Sequence, residues 1–170
     1  VGGFSQSGIS GNKTESNRGG RDYYVVKLDS NGQIEWQKSY GGSGMDVLYS
    51  ILVLENNEYL LSGVSSSNIS GDKTENSKGG GDFWIIKINA AGSIIWQKEL
   101  LNQLPLAFHR NNSNELLIIG RGLSSSTNPI LDVDPSTNSI LIPPHLYLLW
   151  LDPDGNYIDV KSFLHTGYNI

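Results

Sequence analysis

The sequence contains no cysteine among its 170 residues and only one methionine. The absence of cysteine excludes disulfide bonds, thiolate metal sites and a cysteine nucleophile within the chain. Twelve Lys and Arg residues are outnumbered by 17 Asp and Glu residues, which gives a formal net charge of −5. No cluster of basic residues occurs, and this argues against nucleic acid as a partner, because phosphate binding requires concentrated positive charge.

Long hydrophobic runs are also missing. No apolar segment approaches the roughly 18 residues that a membrane-spanning helix needs, so no membrane span is predicted. No segment of ten or more residues shows a helical period of apolar side chains. Hydrophobic residues still make up 38% of the chain, which is enough for a packed core, and 20 glycines indicate frequent turns. These features together predict an all-β protein.

An internal repeat is the strongest signal in the sequence. Residues 3–40 and 63–100 align without a gap at an offset of 60 and are identical at 18 of 38 positions. A third, more divergent copy follows, in which NELLIIGRGLSSS matches NEYLLSGVSSS and HLYLLWLDPDGNYIDVKSF matches DFWIIKINAAGSIIWQKEL. A fixed long period is the mark of a repeat architecture, in which each unit buries its apolar faces against its neighbours.

Each unit is predicted to contain four short antiparallel strands, A to D. In the central copy they lie near Val47–Leu54, Tyr59–Val64, Phe83–Ile88 and Ile94–Glu99. The connection between strands C and D ends in a glycine in every copy, at Gly32, Gly92 and Gly155. A glycine at this place supplies the positive φ that a three-residue hairpin loop with a bulge needs.

The alternation of apolar side chains predicts how the strands are buried. Strands A to C are apolar on both faces, as Trp84 and Phe83 on opposite faces of strand C illustrate. Strand D is one-sided, because Trp96 lies on its apolar face and Glu99 lies on its polar face. This gradient is typical of a β-propeller blade, whose inner strands lie between neighbouring blades and whose outer strand faces water.

We therefore predict a β-propeller fragment with nearly three four-stranded antiparallel blades of about 60 residues. Its units are strands B to D of a first blade at 1–41, a second blade at 42–101, a third, divergent blade at 102–163 and a candidate start of the next at 164–170. A β-solenoid has shorter repeats, and a β-sandwich does not explain repeated sequence. Because a propeller closes with about 4–8 blades, we expect a longer natural chain whose further blades are the partners of this segment.

The segment DFWIIKINAAGSIIWQKEL, preceded by SGDKTENSKGGG, resembles the kelch-like repeats of secreted β-propeller proteins of the Bacteroidetes. Many of those proteins carry a C-terminal type IX secretion sorting domain. The third copy resembles a related repeat but departs from it at Trp150, where Lys is usual, and at Asp159, where the earlier copies have Trp36 and Trp96. The resemblance implies a propeller fold and a secreted or outer cell-surface location, and it supplies no catalytic residue.

The loops SGNKTE and SGDKTE repeat an acidic and polar motif. Candidate ligand-binding residues in these loops, with calcium as the candidate ligand, are Asn12, Glu15, Asp72, Thr74 and Glu75. Lys13 and Lys73 lie inside the motif and would repel a cation. Ser, Gly, Asn and Asp also favour turns through bonds between side chain and backbone, so a solvated, turn-rich loop is the favoured interpretation.

A second candidate metal site consists of Asp132 and Asp134, which have the spacing that begins an EF-hand loop. The glycine and the glutamate that complete such a loop are absent, so a structural turn is favoured. Asp22 and Asp82, which precede strand C, are predicted to accept hydrogen bonds from backbone N–H groups. The histidine spacings fit no zinc site and no nucleophile elbow is present, so no catalytic residue and no cofactor is predicted.

These observations leave three functional hypotheses. The first is a non-catalytic repeat scaffold or binding module of a secreted or cell-surface protein, whose B–C loops at 5–22 and 65–82 are presented to a glycan or a protein. The second is part of a propeller-fold glycoside-active enzyme, which would need two acidic residues on adjacent A strands. Asp46 is the only acidic residue close to the start of a strand A, and Glu55 is near the other end of that strand. The third is a calcium-stabilised structural repeat.

Overall fold

The computed structural model describes residues 1–77, 81–100, 103–111, 115–122, 132–134, 139–141 and 146–163. The strands in these ranges are Gly2–Ser5 (β1), Asp22–Leu28 (β2), Ile34–Tyr40 (β3), Asp46–Val53 (β4), Tyr59–Ser65 (β5), Asp82–Ile88 (β6), Ile94–Leu100 (β7), Gln103–Arg110 (β8), Leu116–Gly122 (β9), Asp132–Asp134 (β10), Ser139–Leu141 (β11), Leu146–Leu151 (β12) and Tyr157–Phe163 (β13). A 3₁₀ turn spans Glu55–Asn57. Within the described ranges, no helix has the length and apolar character to cross a bilayer.

The chain divides into two compact units, Val1–Glu99 and Leu100–Ile170. In the first unit, β1-β2-β3 form one antiparallel sheet and β4-β5-β6-β7 form another, each with its strands in chain order. The all-β prediction is confirmed. The bounds of β4 to β7 agree within one residue with the strands A to D predicted from the alternation of apolar side chains.

The two sheets of the first unit share one apolar core. Tyr23, Val25 and Tyr40 of the first sheet are buried against residues of the second sheet, namely Leu48, Leu61, Trp84, Ile86 and Ile88. The rings of Tyr23 and Trp84 lie 5.0 Å apart between their centroids. Every residue of β6 is buried, which confirms the predicted burial of strand C on both faces.

Three aromatic side chains of the first sheet donate hydrogen bonds to main-chain carbonyl oxygens of the second sheet and its hairpin. The pairs are Tyr23 with Trp84 (3.0 Å), Trp36 with Ala90 (2.9 Å) and Tyr40 with Gly92 (2.6 Å). Burial raises the pKa of both tyrosines, so their hydroxyl groups stay protonated and act as donors. Trp36 also packs edge-on against Tyr59 and is therefore a packing residue between the sheets.

The connection between strands C and D has one conformation in all three copies. Gly32, Gly92 and Gly155 have φ values of +79°, +80° and +81°, which confirms the predicted role of these glycines. The residue that begins each loop is Asp or Asn, and its side-chain oxygen accepts hydrogen bonds from two backbone N–H groups of the loop. These residues are Asp29, Asn89 and Asp152. Such Asx turns fix the loop through local hydrogen bonds alone.

The second unit contains a four-stranded antiparallel sheet in the order β8-β9-β12-β13. A separate hairpin of β10 and β11 lies in the connection between β9 and β12, at the place of the B–C loop in the earlier copies. Trp150 pairs with Asp159 across β12 and β13, so the two departures of the third copy face each other in the sheet. The predicted start of a further strand at 164–170 lies outside the described residues.

Two predictions about burial are wrong. Tyr49 and Val53 in strand A are 60% and 63% exposed, because β4 is the edge strand of its sheet and only part of its surface is covered. Glu99 in strand D was predicted to face water, but it is only 4% exposed. Lys73 from the preceding loop covers its carboxylate, as described below.

Candidate functional site

The connections between strands B and C contain the same turn in the first two copies. The first B–C loop comprises residues 6–21, and the second comprises residues 66–81, of which the structure describes 66–77 and 81. A turn closed by Ser10 and Lys13 recurs as a turn closed by Ser70 and Lys73. Gly11 and Gly71, with φ of +55° and +56°, occupy the same corner of the turn. The repeated sequence therefore encodes a repeated loop shape.

Both loops are fixed to their own sheet by the same pair of contacts. The loop lysine lies over an aromatic ring of strand C: Lys13 over Tyr24 at 5.3 Å, and Lys73 over Trp84 at 4.8 Å. A glutamine of strand D donates to a loop carbonyl oxygen: Gln37 to Asn12 and Gln97 to Asp72, each at 2.7 Å. Cation–π contacts and hydrogen bonds of this kind order a loop whose sequence alone would leave it solvated. The repeated lysine is therefore a structural anchor.

The second loop has an additional anchor. Lys73 Nζ lies 2.8 Å from Glu99 Oε1, and both side chains are only 1% exposed. Burial raises the pKa of Glu99 to about 7, and the neighbouring Lys73 ammonium opposes part of that rise. The first copy has Ser39 where the second has Glu99, so Lys13 has no carboxylate at the equivalent place. The Lys73–Glu99 pair could have been predicted from this difference between the copies. The alternation of strand D instead predicted that Glu99 faces water.

The ionisation of Glu99 should make stability depend on pH. Its folded-state pKa of about 7 is higher than the ordinary value of 4.5, so the folded protein holds this proton more tightly than the unfolded chain. The stabilisation is complete below pH 4.5 and is lost as pH rises to about 7. In Glu99→Gln, urea titrations should show a smaller decrease in unfolding free energy across that range. An equal decrease in Glu99→Gln and in the natural protein would contradict the raised pKa of Glu99.

Two buried aspartates fix connections between strands: Asp22 fixes the first B–C loop, and Asp46 fixes the turn between β3 and β4. Asp22 accepts a hydrogen bond from the Arg18 N–H at 2.6 Å, as predicted for the residue before strand C. Asp46 is fully buried and accepts from the Gly42 N–H and the Ser67 hydroxyl, each at 2.8 Å. Burial raises the pKa of Asp22, and the nearby Asp46 carboxylate adds to that rise. These contacts give Asp46 a structural role.

The geometry of strand A separates the two acidic residues named for the enzyme hypothesis. Asp46 begins β4, and Glu55 lies in the turn after that strand. An extended strand rises about 3.3 Å per residue, so the two residues lie at opposite ends of β4. Glycosidases hold their carboxyl pair about 5–9.5 Å apart, which these two residues cannot match.

A polar cleft of about 320 Å³ lies between the two B–C loops. This inter-loop cleft is lined by Glu15 and Arg18 of the first loop and Asp72 of the second. The other lining residues come from β3, from the end of the second C–D connection and from the start of β7, namely Lys38, Ser39, Tyr40, Gly92, Ser93 and Ile94. Arg18 Nε lies 2.9 Å from Asp72 Oδ2, and Lys38 Nζ lies 3.6 Å from Glu15 Oε1. Two of the predicted ligand-binding residues, Glu15 and Asp72, therefore meet in one cleft.

The other predicted site residues do not line this cleft. Asn12 and Thr74 are exposed in their loops, and Glu75 is half-buried. Asp132 and Asp134 form the two ends of β10, opposite Leu141 and Ser139 in the register of the hairpin. In the part of the chain that the structure describes, no group of three or more His, Cys, Asp or Glu residues is placed to hold a metal ion.

No protein-family model matches the chain, and no curated protein matches it. Function is therefore inferred from the two loops and the inter-loop cleft. The sequence alone does not show the cleft, because its lining residues come from separate segments that meet only in the folded protein. Arg18 and Lys38, which supply its positive charges, had no motif that singled them out.

Proposed function

We propose that the chain is part of a β-propeller that acts as a non-catalytic binding scaffold in a secreted or cell-surface protein. Sheets of three or four antiparallel strands in chain order, packed face to face in the first unit, support a blade-like arrangement. The resemblance of the repeats to secreted propeller proteins of the Bacteroidetes supports the location. The expected ligand is a glycan or a protein held by the B–C loops.

The observation that carries this proposal is that two neighbouring loops share their turn geometry and their anchors. A shape that recurs on a rigid support favours a ligand that contacts several loops at once, because linked sites bind more tightly together than separately. The loops are also joined to each other, since Arg18 of the first forms an ion pair with Asp72 of the second.

Substitutions at exposed loop positions test the proposal without removing an anchor. Ile9 and Ile69 are equivalent residues of the two loops and are 67% and 60% exposed. In the natural full-length protein, Ile9→Ser and Ile69→Ser should each weaken binding to arrayed glycans or glycoproteins. The double variant should lose about 100-fold or more through lost multivalency. Binding is measured on glycan and glycoprotein arrays and then by calorimetry on the best ligand.

The matched control alters exposed residues of the C–D hairpins, Ser30→Ala with Ala91→Ser, which lie outside both loops. Binding by this control should equal that of the natural protein. Equal binding by the loop variants and by the control would show that the loops do not hold the ligand.

A further inference from the structure

The inter-loop cleft has a balanced set of charges. Arg18 and Lys38 provide two positive charges, and Glu15 and Asp72 provide two negative charges. Their side chains are between 22% and 40% exposed, so a ligand can reach them. Tyr40 contributes no charge, because burial raises its pKa and its hydroxyl donates to the Gly92 carbonyl oxygen. The wall formed by these side chains is therefore polar but has no net charge.

An ionic ligand fits this wall poorly. An anion near Arg18 or Lys38 would also approach the carboxylate that each of them pairs with. A cation near Glu15 or Asp72 would likewise approach the Lys38 ammonium or the Arg18 guanidinium. Opposed charges beside one site reject ligands of either sign, which is a recognised way of setting specificity.

Neutral hydroxyl groups fit the cleft better. A guanidinium has five N–H donors and an ammonium has three, while a carboxylate can accept several hydrogen bonds. Each ion pair therefore keeps unused donors and acceptors side by side. One hydroxyl group can donate to the carboxylate and accept from the adjacent cation. Adjacent hydroxyl groups on a sugar ring match two such pairs.

The size of the cleft also suits a small ligand. Its volume of about 320 Å³ lies near the lower end of the roughly 300–1,000 Å³ of sites for small ligands.

We infer that the inter-loop cleft binds a segment of a neutral oligosaccharide through hydroxyl groups bridged between the Arg18–Asp72 and Lys38–Glu15 pairs. This inference rests on the proposed binding function and specifies its ligand. It also predicts that the binding unit is the junction between two consecutive copies, since both B–C loops contribute to one cleft.

The test compares neutral oligosaccharides with their sulfated and uronic-acid counterparts by calorimetry on the full-length protein. Neutral oligosaccharides should bind, and Arg18→Met with Asp72→Asn should weaken that binding about 10- to 100-fold, the effect of losing hydrogen bonds to charged groups. The control is Lys27→Met with Glu35→Gln, which removes an exposed ion pair of the same sheet outside the cleft. Binding by the control should be unchanged.

Exclusive binding of acidic oligosaccharides would overturn the inference and leave the proposed scaffold function standing. Undiminished binding of neutral oligosaccharides by the double variant would show that they bind outside the cleft. That outcome would also overturn the inference and leave the proposed scaffold function standing. Failure to bind any glycan or glycoprotein would contradict both. Should Arg18→Met with Asp72→Asn fail to fold, Glu15→Gln with Lys38→Met tests the second pair in the same way.

Discussion

Replacing Lys73 with methionine is expected to lower the free energy of unfolding by about 3–5 kcal/mol at mildly alkaline pH, the range found when one partner of a buried ion pair is removed. Lys73 and Glu99 are both almost fully buried, so the remaining carboxylate would have neither water nor a cation beside it. The contact of the ammonium with the Trp84 ring would also be lost. Urea unfolding followed by tryptophan fluorescence measures the change.

The pH dependence of this variant identifies the cause. Without Lys73, Glu99 must hold a proton in the folded state, which costs about 1.4 kcal/mol for each pH unit above its ordinary pKa. The difference in stability between Lys73→Met and the natural protein should therefore grow as pH rises above about 7, where Glu99 of the natural protein is ionised. Lys73→Met with Glu99→Leu should recover most of the stability, because an apolar pair often replaces a buried ion pair without loss.

The internal repeat provides the matched control. Lys13 lies over Tyr24 as Lys73 lies over Trp84, but Ser39 stands where Glu99 stands in the second copy. Lys13→Met should therefore cost only about 1 kcal/mol, as expected for an exposed cation–π contact. Equal losses in the two lysine variants would mean that the ion pair contributes nothing beyond the stacking.

Replacing Gly63 with alanine is expected to destabilise the protein by about 3 kcal/mol or more, the upper range for overpacking of a core. A Cβ atom at Gly63 would lie far inside van der Waals contact with the Val47 carbonyl oxygen of the neighbouring strand. It would also lie 2.8 Å from the Tyr23 hydroxyl, which bonds to the Trp84 carbonyl oxygen of the adjacent strand β6. The backbone of β4 must move, because a carbonyl oxygen cannot rotate away as a side chain can.

Thermal unfolding of the natural protein and of Gly63→Ala measures this loss. An unchanged melting temperature would show that β4 can move away from Gly63 without cost.

The strands and hairpins could be predicted because local sequence specifies them. Alternating apolar residues placed β4 to β7 within one residue of their observed bounds. A glycine at a fixed place in each C–D connection gave the positive φ of Gly32 and Gly92. Each of these loops also begins with Asp or Asn, which favours an Asx turn. The hydrogen bonds from the loop backbone to these side chains could therefore have been predicted from the sequence, but they were not.

The burial of Glu99 and the composition of the cleft could not be predicted in the same way. Lys73 meets Glu99 across 26 residues of sequence, and Arg18 meets Asp72 across 54. Such contacts depend on where a loop packs, and neither periodicity nor spacing encodes that position. The exposure of Tyr49 has a similar origin, because an apolar strand at the edge of a sheet has the same sequence pattern as a central one.

The hydrogen bonds between the two sheets of the first unit have a direction. Tyr23, Trp36 and Tyr40 of the first copy donate to carbonyl oxygens of the second copy, and every residue possesses that acceptor. The second copy has Phe83 and Leu100 at the positions of Tyr23 and Tyr40, so it lacks the two phenol donors that the first copy uses. The two modules are therefore not interchangeable, because exchanging their order would remove two of the three hydrogen bonds.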